Sequence, residues 1–258
     1  MTRRKRSVFS DDAVTEVLDF IITLGMMLLA IGIIAVVGYP LVEHMKESGY
    51  QENIRQSFSV LTPNMNKIAA GKAPSQSVEL KMHGGIVSVT GNSYMNVSMD
   101  MWNESTSSIE SISFERQLRA IENEYMDTSF AYENTGAWAR YPQGSAIAIS
   151  KPVFAYDNSS LLIPMVTITG NEGISGSGLI RVVSNGGQLL VESYNNVSQV
   201  EITLSSDYYE AWEKYLNESI GMQTTYVNAS NMTIQVRKDY NPNIDVFITV
   251  SPMSVTVE

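Results

Sequence analysis

From Phe20 to Val42 the chain reads FIITLGMMLLAIGIIAVVGYPLV, apolar on every side and free of charge. A helix of that length is roughly 35 Å long, enough to cross a hydrocarbon core of about 30 Å. The core helix of a soluble domain normally keeps a polar face. The run therefore predicts a transmembrane helix over 20–42, with Pro40 kinking or ending it near one edge. Beyond Leu41 the pattern becomes amphipathic. Tyr50, Ile54, Phe58, Leu61, Met65 and Ile68 recur at helical spacing between polar residues. Thr62-Pro63 predicts a break, with Thr62 as N-cap of a second segment, and Gly71 and Pro74 close the stretch. Residues 13–72 thus form an N-terminal helix, with 43–72 as an amphipathic stalk.

From residue 73 to 258 the period changes to two. Val78 to Met82 alternates, His83-Gly84-Gly85 follows, and Ile86 to Val89 resumes, which predicts a hairpin. Residues 92–101 alternate again. Further strands are predicted over 110–116, 145–151, 160–168, 178–184, 187–194, 199–205, 224–229, 231–237, 244–250 and 253–257. One late helix interrupts them, with Asp207 as N-cap, Glu210 three residues on, and Tyr208, Tyr209, Trp212 and Tyr215 docking on the sheet. The fold class expected is α+β: a long N-terminal helix followed by an antiparallel β-rich domain.

Charge adds orientation. Arg3, Arg4, Lys5 and Arg6 precede the apolar run, and nothing after it is comparably basic. The positive-inside bias keeps residues 1–12 in the cytoplasm and places the β-rich domain outside the cell. The net charge of −10 argues against nucleic-acid binding. Cysteine is absent, which removes disulfides, thiolate metal sites and cysteine nucleophiles. No small-residue cleavage site follows the apolar run, so an ordinary cleaved signal peptide is the weaker reading.

The segment Asp11-Asp12-Ala13-Val14-Thr15-Glu16-Val17-Leu18-Asp19-Phe20 resembles the N-terminus of archaeal type IV pilins and pilin-like membrane proteins. This chain has Thr15-Glu16 where many of them read Ser-Pro. The resemblance implies processing between Ser10 and Ala13, with Asp11, Asp12 and Ala13 at the cleavage region. A cut before Asp12 makes Glu16 the fifth residue of the product. Glu16 and Asp19 lie on one side of the first helical turns. They either favour the helix N-terminus at headgroup level or neutralise a neighbouring subunit's terminal amine. Gly25 and Gly32, with Gly38, fall near one helical face and admit close helix approach, a weak signal for self-association. The succession of Tyr132 to Arg140, Ala146 to Pro152 and Leu161 to Val166 is similar to a group of archaeal membrane proteins with a pilin-like N-terminus and no assigned activity. In that succession Trp138 beside Arg140 is a surface recognition pair or, more commonly, a core tryptophan.

Seven Asn-x-Ser/Thr sequons occur, at Asn96, Asn103, Asn158, Asn196, Asn217, Asn228 and Asn231, and together they predict a glycosylated surface domain. The two histidines, His44 and His83, form no metal motif, and no nucleotide-binding or hydrolase signature is present. Gly173, Gly176 and Gly178 suggest a β-turn. Asp157 with Asn158, and Asp239 with Asn241 and Asn243, offer oxygens to calcium, with Asx turns as the ordinary alternative. The expectation is a non-enzymatic surface protein without cofactor. Its partners are membrane lipid, other copies of itself through the N-terminal helix, and other envelope proteins. A permanently anchored receptor or accessory subunit is the first alternative. An anchored hydrolase is the second, and it predicts a deep cleft with paired carboxylates and perturbed pKa values.

Overall fold

The computed structural model describes residues 11–170 and 173–258, with side chains from Thr15 onward. The basic head lies outside the described residues, as do the side chains of Asp11, Asp12 and Ala13 and, in the glycine-rich stretch, Asn171 and Glu172. The chain divides into two compact units, the first ending at Tyr50 and the second running from Gln51 to Glu258.

In the first unit, α1 spans Asp11–Ile33, a π-helical turn covers Ile34–Gly38, and α2 begins at Tyr39 and continues to Ala69. Pro40 does not end the helix. The wider turn includes Val36, whose carbonyl a prolyl nitrogen at position 40 cannot serve, and it absorbs the mismatch one turn earlier. Phe20, Ile21, Leu29 and Val36 are 57–75% exposed. The most apolar stretch of this helix has no buried residue, and it is long and apolar enough to cross a membrane.

In the second unit the expected break at Thr62-Pro63 does not occur, and α2 runs through it. Thr62 is not a cap: its hydroxyl donates to the Phe58 carbonyl at 2.7 Å, and Asn64 donates to Val60 O at 2.9 Å. Burial of Ile54, Phe58 and Leu61 before the proline, and of Met65 and Ile68 after it, holds both halves on one surface. Packing outweighs the hydrogen bond the proline removes.

Among the described residues thirteen strands follow: β1 Ser75–Thr90, β2 Tyr94–Asn103, β3 Ser108–Gln117, β4 Ala120–Tyr125, β5 Thr128–Glu133, β6 Gly136–Arg140, β7 Ile147–Ser150, β8 Ala155–Tyr156, β9 Ser160–Thr169, β10 Gly173–Gly186, β11 Leu190–Ser205, β12 Gln223–Asn228 and β13 Thr233–Val257. Helix α3, Tyr209–Tyr215, continues as a π-helical turn over Leu216–Ile220. The strands form one sheet in the order β3-β2-β11-β13-β10-β1-β4-β5-β6-β7, with β12 and β9 also on β13 and β8 on β9. All pairings are antiparallel except β9 with β13. Residues of β2 and β6, far apart in that order, share one core with β9, β11, β13 and α3, so the sheet curls around it.

Strand β5 is covered on both faces. Phe130 stacks on Phe58 of α2 at 6.4 Å, and Tyr132 OH donates to Asn66 at 3.0 Å. Ala131 points the other way, into the core with Trp138 and Trp212.

Several expected boundaries change. Residues 78–89 are not a hairpin but one strand, since both halves pair with β10 and the glycines form a bulge between His83 and Ile86. Gly85 has φ +85, and a β-carbon there runs into the Glu124 carbonyl. Gly85→Ala is expected to cost about 2 kcal/mol in unfolding by urea. Gly144→Ala, at φ +122 with open space around it, is expected to cost less, which separates collision from backbone strain. Residues 187–194 and 199–205 merge into β11, and the last three expected strands merge into β13. Gly173, Gly176 and Gly178 lie within β10 instead of a turn. Strands β4, β5 and β6 were not expected. Asp207 is not the helix cap: Tyr208 holds that place, and Glu210 instead accepts from Ala146 N at 3.0 Å.

Candidate functional site: a buried carboxyl beneath a polar cleft

The β4–β5 pairing sets Glu122 opposite Ala131 and Ala120 opposite Glu133. Both glutamates therefore share one face as diagonal neighbours, a relation that puts Cβ atoms about 7–8 Å apart. Glu133 ends β5, where Asn134 and Thr135 take positive φ and turn the chain into β6. Asn134 Oδ1 accepts from Val166 N at 2.9 Å, which pins that turn to β9. Ser206 and Trp212 approach from the start of α3. Ser206 Oγ donates to Glu133 Oε1 at 2.7 Å, and Trp212 Nε1 donates to the same oxygen at 2.8 Å. Trp138 Nε1 donates to the Glu133 carbonyl at 3.2 Å, and its ring lies 4.6 Å from that of Trp212.

Glu133 is 2% exposed, and burial pushes its pKa up to about 7 against the pull of Ser206, Trp212 and Ser93. Burial also raises Glu122, while the Tyr208 hydroxyl, donating at 2.9 Å, lowers it. Burial and then the charge of Glu122 hold Tyr208 well above the usual phenol range. Asp207 lies 3.9 Å from Arg140. Above Glu133 opens a cleft of about 260 Å³ whose lining includes Asn92, Ser93, Glu122, Asp207 and Met232. Two carboxyls with raised pKa thus border one cleft.

None of the seven sequon asparagines is buried, and Asn158 and Asn231 are exposed. Asn228 and Asn231 share a turn, where Asn228 Oδ1 accepts from Ser230 N at 3.0 Å and Asn231 N at 3.2 Å. Asn103 accepts from Ser105 N at 2.9 Å, and Asn196 donates to Trp102 O at 3.4 Å, which brings these two together at the end of β2. Asn96 accepts from Ser113 and Asn217 donates to Thr224. Glu16 and Asp19 are exposed on α1, and the space beside Gly25 and Gly32 is open.

In both calcium candidates one oxygen of the aspartate is already hydrogen-bonded within the protein. Asp157 Oδ1 accepts from the backbone and hydroxyls of Ser159 and Ser160, which lowers its pKa. Asp239 accepts from Arg237 and Gln199. Among the described residues no group of three acids or histidines is placed to hold a metal. Trp138 is fully buried, a core residue and not half of a surface pair with Arg140.

Sequence reasoning missed Glu122, Glu133 and Ser206. One signal existed: Glu133 is the lone charge in Thr128 to Ala139.

These features define an α+β protein with an N-terminal helix long and apolar enough to span a membrane, ahead of a curled sheet with a carboxyl buried beneath a cleft. Residues 13–256 match the profile of the family of unknown function DUF7289, and the chain belongs to that family. An uncharacterized protein of Archaeoglobus fulgidus is 29% identical over 77 residues, 30% of this chain and 25% of that protein. The matched segment thus spans about a quarter of the relative's length. No solved structure matches the chain significantly.

Proposed function

We propose that this is a single-pass archaeal cell-surface protein of the type IV pilin-like class, held by its N-terminal helix and serving a structural or adhesive role. The observation that carries the reading is the division of labour along the helical sequence. Its apolar part is exposed on all sides, a state water opposes and a bilayer or a helical filament core relieves. Its amphipathic part, Ile54 to Ile68, is buried in the β-rich unit. The archaeal relative, the basic head and the sequon asparagines agree with this reading.

Mass spectrometry of the N-terminal peptide from native membranes tests it. A mature start near Asp12, with the protein resisting carbonate extraction, is the expected result. An intact basic head moves the reading to the alternative, a permanently anchored receptor or accessory subunit, and free solubility without detergent overturns both. The Glu122–Glu133 pair favours one reading of another class, an anchored hydrolase. Turnover of nitrophenyl glycosides that is lost in Glu122→Gln would establish it and displace the non-enzymatic role.

A further inference from the structure

We propose that the cleft above Glu133 binds one neutral sugar unit, which gives the adhesive reading a ligand class and rests on that reading. A volume of about 260 Å³ falls just below the range of drug-sized pockets, and it suits a single pyranose or the end of a short glycan. Sugar hydroxyls both donate and accept, so a site for them needs both kinds of partner. Glu122 and Asp207 accept; Asn92, Ser93 and Ser205 do both.

A second observation points inward. Ser93 is 6% exposed, and among the described residues its hydroxyl makes no well-formed hydrogen bond, although it lies close enough to Glu133 to favour the ionised carboxyl. A buried hydroxyl left short of a full bond costs about 1–3 kcal/mol, and because its oxygen is enclosed a ligand hydroxyl recovers that cost once Ser93 turns toward the cleft. Glu133 Oε1 takes the bonds from Ser206 and Trp212, and these fix the carboxyl without occupying Oε2. Met232 and Ala120 give the cleft an apolar side for the carbon face of a ring.

Other ligand classes fit less well. An anion meets three carboxylates. A metal ion finds no suitable trio among the described residues. An organic ammonium needs acceptors only, so the Ser93 and Asn92 donors stay unspent, and Arg140 already faces Asp207.

The test is ligand-observed saturation-transfer NMR on the full-length protein in lipid nanodiscs, with glucose, galactose, mannose, N-acetylglucosamine and methylammonium as probes. Saturable binding of at least one sugar is expected in the millimolar range. It should weaken about tenfold in Ser93→Ala and in Glu122→Gln, the loss of roughly one hydrogen bond to a charged or buried group. Asn92→Ala, an exposed loop substitution that spares the core, is expected to weaken it by a smaller factor. Tryptophan fluorescence checks that each variant keeps its core. No saturable sugar binding, sugar binding unchanged in all three folded variants, or binding of methylammonium alone overturns the proposal. The N-terminal peptide and carbonate extraction, measured on the same preparation, report separately on the surface-protein reading.

Discussion

Replacing Trp212 with alanine is expected to lower the unfolding free energy of the β-rich unit by about 4 kcal/mol, the usual cost of emptying a large aromatic site in a packed core. The ring is fully buried, lies 4.6 Å from Trp138 and meets Phe154 and Tyr215 edge-on at 6.0 and 6.1 Å. Its loss also removes one of the two donors on Glu133 Oε1. Trp212→Phe keeps most of the apolar surface and drops only the N–H, so it should cost less than the alanine variant by about half. Urea denaturation in detergent, followed by the remaining tryptophans, measures both. A loss below about 1 kcal/mol for the alanine variant would mean that α3 is not part of the core.

The second large effect is a pH dependence that Glu133→Gln should largely remove. The group titrates near 7 when folded, against an ordinary value of 4.5. Between those limits the folded state binds more protons than the unfolded one, so stability falls as pH rises through the window. A displacement of that size corresponds to about 3 kcal/mol, present in full below pH 4.5 and lost above 7. Glutamine keeps the acceptor for Ser206 and Trp212 and cannot ionise. The variant should match the wild type near pH 4 and exceed it by about 3 kcal/mol near pH 8. Parallel stability curves across pH 4 to 8 would refute a buried, proton-holding carboxyl at this position. Glu122, raised in the same direction by burial, adds a smaller slope of the same sign that both proteins share.

The N-terminal helix was legible because its signals are local. An unbroken apolar run and a stripe at 3.6-residue spacing survive any tertiary context, and the stripe residues Ile54 to Ile68 are buried as the period requires. Strand β2 was legible for the same reason, with Met95, Val97 and Met99 inward and Tyr94, Asn96 and Ser98 half-exposed. Strand β5 was not, because all six residues of TSFAYE are buried, between α2 and the core, and a strand covered on both faces has no alternation to read. The Gly84-Gly85 pair misled because glycine serves a bulge as readily as a turn, and only the shared partner β10 decides between them. Glu133 was illegible as a site since its environment comes from Ser206 and Trp212, 73 and 79 residues further along.

Strand β13 touches β9, β10, β11 and β12, all of which are made before it. Until its 25 residues emerge, those earlier strands have no common partner and the backbone N–H and C=O groups along that edge stand unpaired. During synthesis the sheet therefore waits on its final piece, so assembly is late, slow and exposed to mispairing. A chain interrupted before Thr233 would leave a set of orphaned ribbons for a chaperone or protease to meet.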